Sequence, residues 1–161
     1  MSTYSAVVRW TRKPEEPFLD GRYSRAHQWR FDGGAIVPAS SSPHEVRVPL
    51  SDPAGVDPEE ALLAALSSCH MLFFLDFARR RGFAIDLYED EPEGVVGPGV
   101  DGRVSMTRVT LRPRVVFSGD KRPTAAVVEE LHQAAHHACY VANTVRSAVE
   151  VEGRGEGLAP G

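Results

Sequence analysis

Cys69 and Cys139 are the only thiols in this chain of 161 residues. A thiol reacts as its thiolate, so a nucleophilic cysteine needs a nearby cation or a helix N-terminus. Cys69 lies ten residues after Glu59 in a stretch that reads as one helix. That is about 15 Å along the axis, beyond the first turn where the helix dipole acts. A thiol left alone in an apolar helix stays neutral and inert, so reactivity at Cys69 requires a cation from elsewhere. Arginine suits the task, because it stays charged and its planar fork can hold a thiolate and a carboxylate together. Glu59 or Glu60 could orient it. The bland reading is that both cysteines are packing residues, but Ser67, Ser68 and His70 beside Cys69 are more polar company than packing calls for.

A second chemistry is legible in the same residues. His132, His136 and Cys139 fall at i, i+4 and i+7 on one helical face, and His70 adjoins Cys69. Thiolate and imidazole ligands suit zinc. Against it, that face reads as solvent-facing, where histidines are ordinary.

The elements that must position these residues begin with alternation from Tyr4 to Trp10, a strand signal. Further strands are expected at His27–Phe31 and near Val46–Val48, with a turn at Asp32-Gly33-Gly34. Asp57-Pro58-Glu59-Glu60 combines a capping aspartate, a proline at the first helical position and a capping-box glutamate. The helix should run to about Arg81 and end at Gly82. From Ala61 to Leu75 it is apolar on nearly every face, as a buried helix is. Its small face (Ala61, Ala64, Ala65, Ser68) permits a close antiparallel crossing of two copies, which would bring Glu59 of one to Cys69 of the other. Arg79, Arg80 and Arg81 suit the dipole at its end.

Strands are expected at Ala84–Glu89, Val104–Thr107 and Val109–Phe117. A helix capped by Thr124 and a last strand over Val145–Val151 follow. This order makes an α+β domain with helices on a largely antiparallel sheet, spanning 1–152 as one domain. The tail 153–161 reads as disordered. An apolar fraction of 42% suffices for a core, and a net charge of −4 argues against nucleic acid. The N-terminus lacks a signal-like apolar core, and the Ala61–Leu75 stretch is too short and polar for a membrane span. A cytoplasmic location with reduced thiols is expected.

Asp57-Pro58-Glu59-Glu60, then Ala64-Ala65 and Ser68-Cys69, resembles the helix motif of the OsmC/Ohr family. Ala135-His136-His137-Ala138-Cys139 with Asn143 resembles its second cysteine motif, and Ser24-Arg25-Ala26-His27-Gln28-Trp29-Arg30-Phe31-Asp32-Gly33-Gly34 resembles one branch of it. The resemblance covers nearly the whole chain up to Glu152. It implies an intertwined homodimer with interfacial sites and peroxidase activity toward organic, lipid-like hydroperoxides. Cys69 would be the peroxidatic thiol, Cys139 the resolving thiol, and Glu59 the carboxylate that orients an arginine. Arg25 matches the branch motif, with Arg22 and Arg47 as alternatives. His70 and Tyr140 depart from the family pattern after each cysteine. Leu66, His70, Phe73 and Trp29 are candidates for the substrate pocket. The resemblance also suggests a dithiol reductant, such as a lipoyl-bearing protein, and no metal or organic cofactor. A non-catalytic member binding an apolar ligand is the remaining alternative.

Overall fold

The computed structural model describes all of Met1–Gly161. The chain forms two compact units, Met1–Ala61 and Leu62–Gly161.

In the first unit, β1 (Ala6–Arg9), β2 (His27–Phe31) and β3 (Ile36–Ala39) form an antiparallel sheet in that order. The Asp32-Gly33-Gly34 turn folds β2 straight back, and Phe31 N–H donates to the Ala35 carbonyl at 3.0 Å. The third strand is therefore β3 and not the expected Val46–Val48, which lies among turns over 43–50.

Helix α1 (Pro58–Arg80) starts as its sequence dictates. Glu60 N–H donates to Asp57 Oδ1 at 2.8 Å and Asp57 N–H donates to Glu60 Oε2 at 3.3 Å, the reciprocal bonds of a capping box. It ends where Gly82 takes a left-handed φ of 78°, and Phe83 N–H returns to the Ala78 carbonyl at 3.0 Å. Length and composition alone would let α1 cross a membrane, contrary to the expectation from Ala61–Leu75. Its buried face, however, carries Ser67 and His70, which bond to Asp90 and His132.

The helix is not covered on every face as expected. Leu66, Ser67, His70, Phe74 and Ala78 are buried, whereas Ala64, Ala65, Ser68 and Leu72 stand exposed.

The second unit is built on three extended runs, 84–98, 104–118 and 148–156, each interrupted once and so divided between two three-stranded sheets. β4 (Ala84–Glu89) pairs antiparallel with β7 (Arg114–Ser118), and β7 pairs parallel with β9 (Arg154–Glu156). Beyond the break, β5 (Glu93–Pro98) pairs antiparallel with β6 (Val104–Leu111), and β6 pairs parallel with β8 (Ala148–Val151). The fold is thus α+β with mixed sheets. Pro113, which has no N–H to give a ladder, ends β6 later than the expected stop at Thr107. Asp90 ties the break together, accepting from Arg112 N–H at 2.6 Å and Ser67 Oγ–H at 2.5 Å.

Besides β3, two strands were not expected from the sequence. Gly94, Gly97 and Pro98 make β5 look like a loop, and pairing with β6 overrides that composition. The tail expected to be disordered carries β9. Leu158 packs on the core, and Ala159 N–H donates to the Pro123 carbonyl at 2.9 Å.

Thr124 caps α2 (Ala125–Ala138) by accepting from Val127 N–H, and Cys139 is the C-cap. Phe74, Val115, Phe117, Val128 and Leu131 form one core cluster, and Leu66, Val109 and Leu111 form another. Full burial of a side chain of this size stabilises by about 1.5–3 kcal/mol.

Candidate active site

α1 and α2 each deliver one thiol to the second unit. Cys69 is half-buried on α1, and Cys139 is fully buried at the end of α2. Seventy positions apart in sequence, the two free thiols come close enough for Cys69 to raise the proton affinity of Cys139. Burial, then the hydrogen bond to Cys69, pushes the Cys139 thiol up to about 11. The Ala142 N–H points at Cys139 Sγ from 3.3 Å, a donor that favours the thiolate. Asn143 fastens the turn after α2, its side-chain amide donating to the His137 carbonyl at 2.9 Å.

Arg25 and Glu59 line one cavity of about 520 Å³ in the first unit, together with Trp10, Phe18, Tyr23 and His27. The Arg25 guanidinium lies 3.8 Å over the Tyr23 ring and donates to the carbonyls of Gly21 and Tyr23. Its backbone is held as well: His27 Nδ1 bonds the Arg25 carbonyl at 2.8 Å, while Trp29 Nε1–H donates to His27 Nε2 at 3.0 Å. These bonds select the His27 tautomer with its proton on Nδ1. Of the three candidate arginines only Arg25 lines this cavity. Arg22 is exposed and paired with Asp20 at 2.7 Å, and Arg47 is exposed outside the lining.

The pocket candidates fare unevenly. Leu66 belongs to the core with Val109 and Leu111. His70 is also fully buried. Phe73 is half-buried and meets the Tyr140 ring edge-on at 5.3 Å. Trp29 braces His27 without lining the cavity. The aromatic walls that sequence reading missed are Trp10, Phe18 and Tyr23, whose rings pack with centroids 4.7–5.8 Å apart. No periodicity marks them, because Phe18 and Tyr23 lie outside regular strands.

The zinc set does not assemble. His132, read as solvent-facing, is buried, with its Nδ1 bonded to His70 Nε2 at 3.1 Å. No three histidine, cysteine or acidic side chains converge in a metal-holding cluster.

Comparison with known proteins bears on this arrangement. The family described as OsmC-like protein matches residues 51–153. An OsmC-like protein of unknown function from Vibrio cholerae is 51% identical, with a TM-score of 0.94 over 96% of this chain and 100% of that one. The uncharacterized protein YmaD of Bacillus subtilis is 25% identical over 76% of this chain and 79% of its own. The organic hydroperoxide resistance protein OhrB of Bacillus subtilis shares the fold at 18% identity, with a TM-score of 0.59 over 96% and 98% of the two chains.

Proposed function

This chain belongs to the OsmC-like protein family, and on that premise we propose that it is a thiol-dependent peroxidase reducing organic hydroperoxides. The observation that carries the reading is the meeting of two free thiols, Cys69 and Cys139, from two separate helices. The fold shared with a protein named for organic hydroperoxide resistance supports the substrate class.

The Cys69 thiolate attacks the distal oxygen of the hydroperoxide. The O–O bond breaks, the alcohol leaves as its alkoxide and takes up a proton, and Cys69 becomes a sulfenic acid. Cys139 then attacks the Cys69 sulfur and expels water, giving a disulfide that protects Cys69 from further oxidation. An external dithiol, such as a lipoyl-bearing protein, restores both thiols by two exchanges and leaves as its own disulfide. The reduced resting state fits a cytoplasmic location.

Arg25, which lines one cavity with Glu59, is the cation for Cys69. Because α1 runs unbroken from Pro58 to Arg80, Glu59 stays about three turns before Cys69. Two copies therefore pack through the exposed Ala64, Ala65 and Ser68, and Arg25 and Glu59 of one serve Cys69 of the other. The aromatic cavity favours organic over inorganic peroxide. It is also what favours the second reading, a member that binds an apolar ligand without turnover.

The deciding experiment counts free thiols before and after one equivalent of an organic hydroperoxide. Wild type should lose two, and Cys139→Ser should accumulate a sulfenic acid trappable on Cys69. Two thiols that persist, with peroxide unconsumed, would leave ligand binding as the better reading.

A further inference from the structure

Two buried imidazoles join the cysteine-bearing helices, and the chemistry above does not use them. His70 follows Cys69 on α1, and His132 lies two turns before Cys139 on the same face of α2. Their Nε2 and Nδ1 atoms share a 3.1 Å hydrogen bond, with the rings nearly parallel at 12°. Phe74 stacks on His132, at 4.3 Å between centroids. Gly153 presses on its edge, where a Cβ would come within 2.4 Å of Nε2.

We propose that the His70–His132 pair is a positioning device for disulfide closure, fixing α1 against α2 so that Cys69 and Cys139 stay in bonding register. The inference rests on the reading of these cysteines as a redox pair. A disulfide tolerates only a narrow range of separations and dihedral angles, so a small slide of one helix along the other would hinder closure. Apolar contacts of the kind Phe74 and Leu131 make tolerate such a slide, because they are non-directional. A hydrogen bond between two clamped rings does not tolerate it.

The pair is also a poor choice for stability alone. His70 Nδ1 and His132 Nε2 are buried without a partner, a penalty that apolar side chains of similar volume would avoid. Buried polar contacts kept at such a cost are best attested as devices that fix register.

The test equilibrates reduced and oxidised glutathione with wild type, His70→Leu and His132→Leu, and reads the equilibrium constant of the Cys69–Cys139 disulfide. The leucine variants should melt no lower than wild type at neutral pH yet lower that constant about tenfold, an upward shift of about 30 mV in disulfide potential. His70→Gln, whose amide reaches the Nε2 position, should restore it to within about threefold. If a leucine variant fails to fold, His70→Asn, whose amide falls short, replaces it against His70→Gln. Unchanged constants in folded variants overturn the proposal, as does a wild type that forms no disulfide in any glutathione buffer. Failure of the peroxidase reading looks different: glutathione closes the disulfide normally, but hydroperoxide oxidises neither thiol.

Discussion

Met1–Ala61 leaves its three-stranded sheet with Val8, Phe31 and Ile36 in the open, whereas Leu62–Gly161 buries Phe74, Val109, Leu111, Val115 and Leu131 completely. The first unit's buried side chains are mostly small or polar: Ala39, Ser40, Ser42, Ser51 and Asp57. A three-stranded sheet needs a covered apolar face to be stable. The contrast teaches a division of labour. The unit with the tight core holds the thiols, and the thinly covered unit holds the arginine and the aromatic cavity. On the proposed reading, a second copy supplies the missing cover and the missing cation at once.

The sharpest way to break this contrast is at the thiols. Cys69→Ser should abolish peroxide consumption, and Cys139→Ser should keep one stoichiometric turnover, read by peroxide loss in single-turnover assays. A mutant lacking Cys69 that still consumes peroxide would move the chemistry out of the second unit.

The next largest effect should come from the first unit. Arg25→Met should slow alkylation of Cys69 at neutral pH by about a hundredfold, the scale of losing one fixed electrostatic partner. Arg22→Met and Arg47→Met should stay within about twofold. Ala65→Arg should produce monomers by light scattering and lose the same reactivity, because the cation then has no way to reach the thiol. Monomers that react normally with peroxide would refute the shared site.

Within the second unit, acid should act through the buried histidines. Burial, followed by the charge of His132, lowers His70 to about 4, and burial lowers His132 to about 4. Between these values and the ordinary 6.5, the unfolded chain binds more protons than the folded one. The stability this contributes is fully present above pH 6.5 and is lost as pH falls toward 4. The first proton accounts for about 3 kcal/mol. Urea unfolding of His70→Leu across that range should show a flatter pH dependence than wild type. The smallest effect concerns the helix that carries Cys69: Asp57→Ala should cost about 1 kcal/mol by removing the cap, read as a lower Tm with the pH profile unchanged.

Local chemistry made much of this molecule legible. Asp57-Pro58-Glu59-Glu60, Thr124 and Gly82 announce helix ends because caps and left-handed turns are satisfied by neighbours in sequence. The strands expected around His27–Phe31 and Ala84–Glu89 are present as β2 and β4. Glycine-rich β5 and β9 were invisible for the converse reason: their ladder bonds come from β6 and β7, and their composition offers the backbone no strand preference of its own. The expected strand at Val46–Val48 failed because the preceding turn had already fixed the third strand.

For the proposed site, sequence marked the candidates, two cysteines and an arginine with its carboxylate, since potential reactivity belongs to residue type. Only tertiary structure decided that Cys69 and Cys139 meet, that Arg25 and not Arg22 or Arg47 lines the cavity with Glu59, and that His132 faces inward to His70. Contacts of that kind depend on how elements distant in the chain pack, and a helical face has no inside until another element covers it.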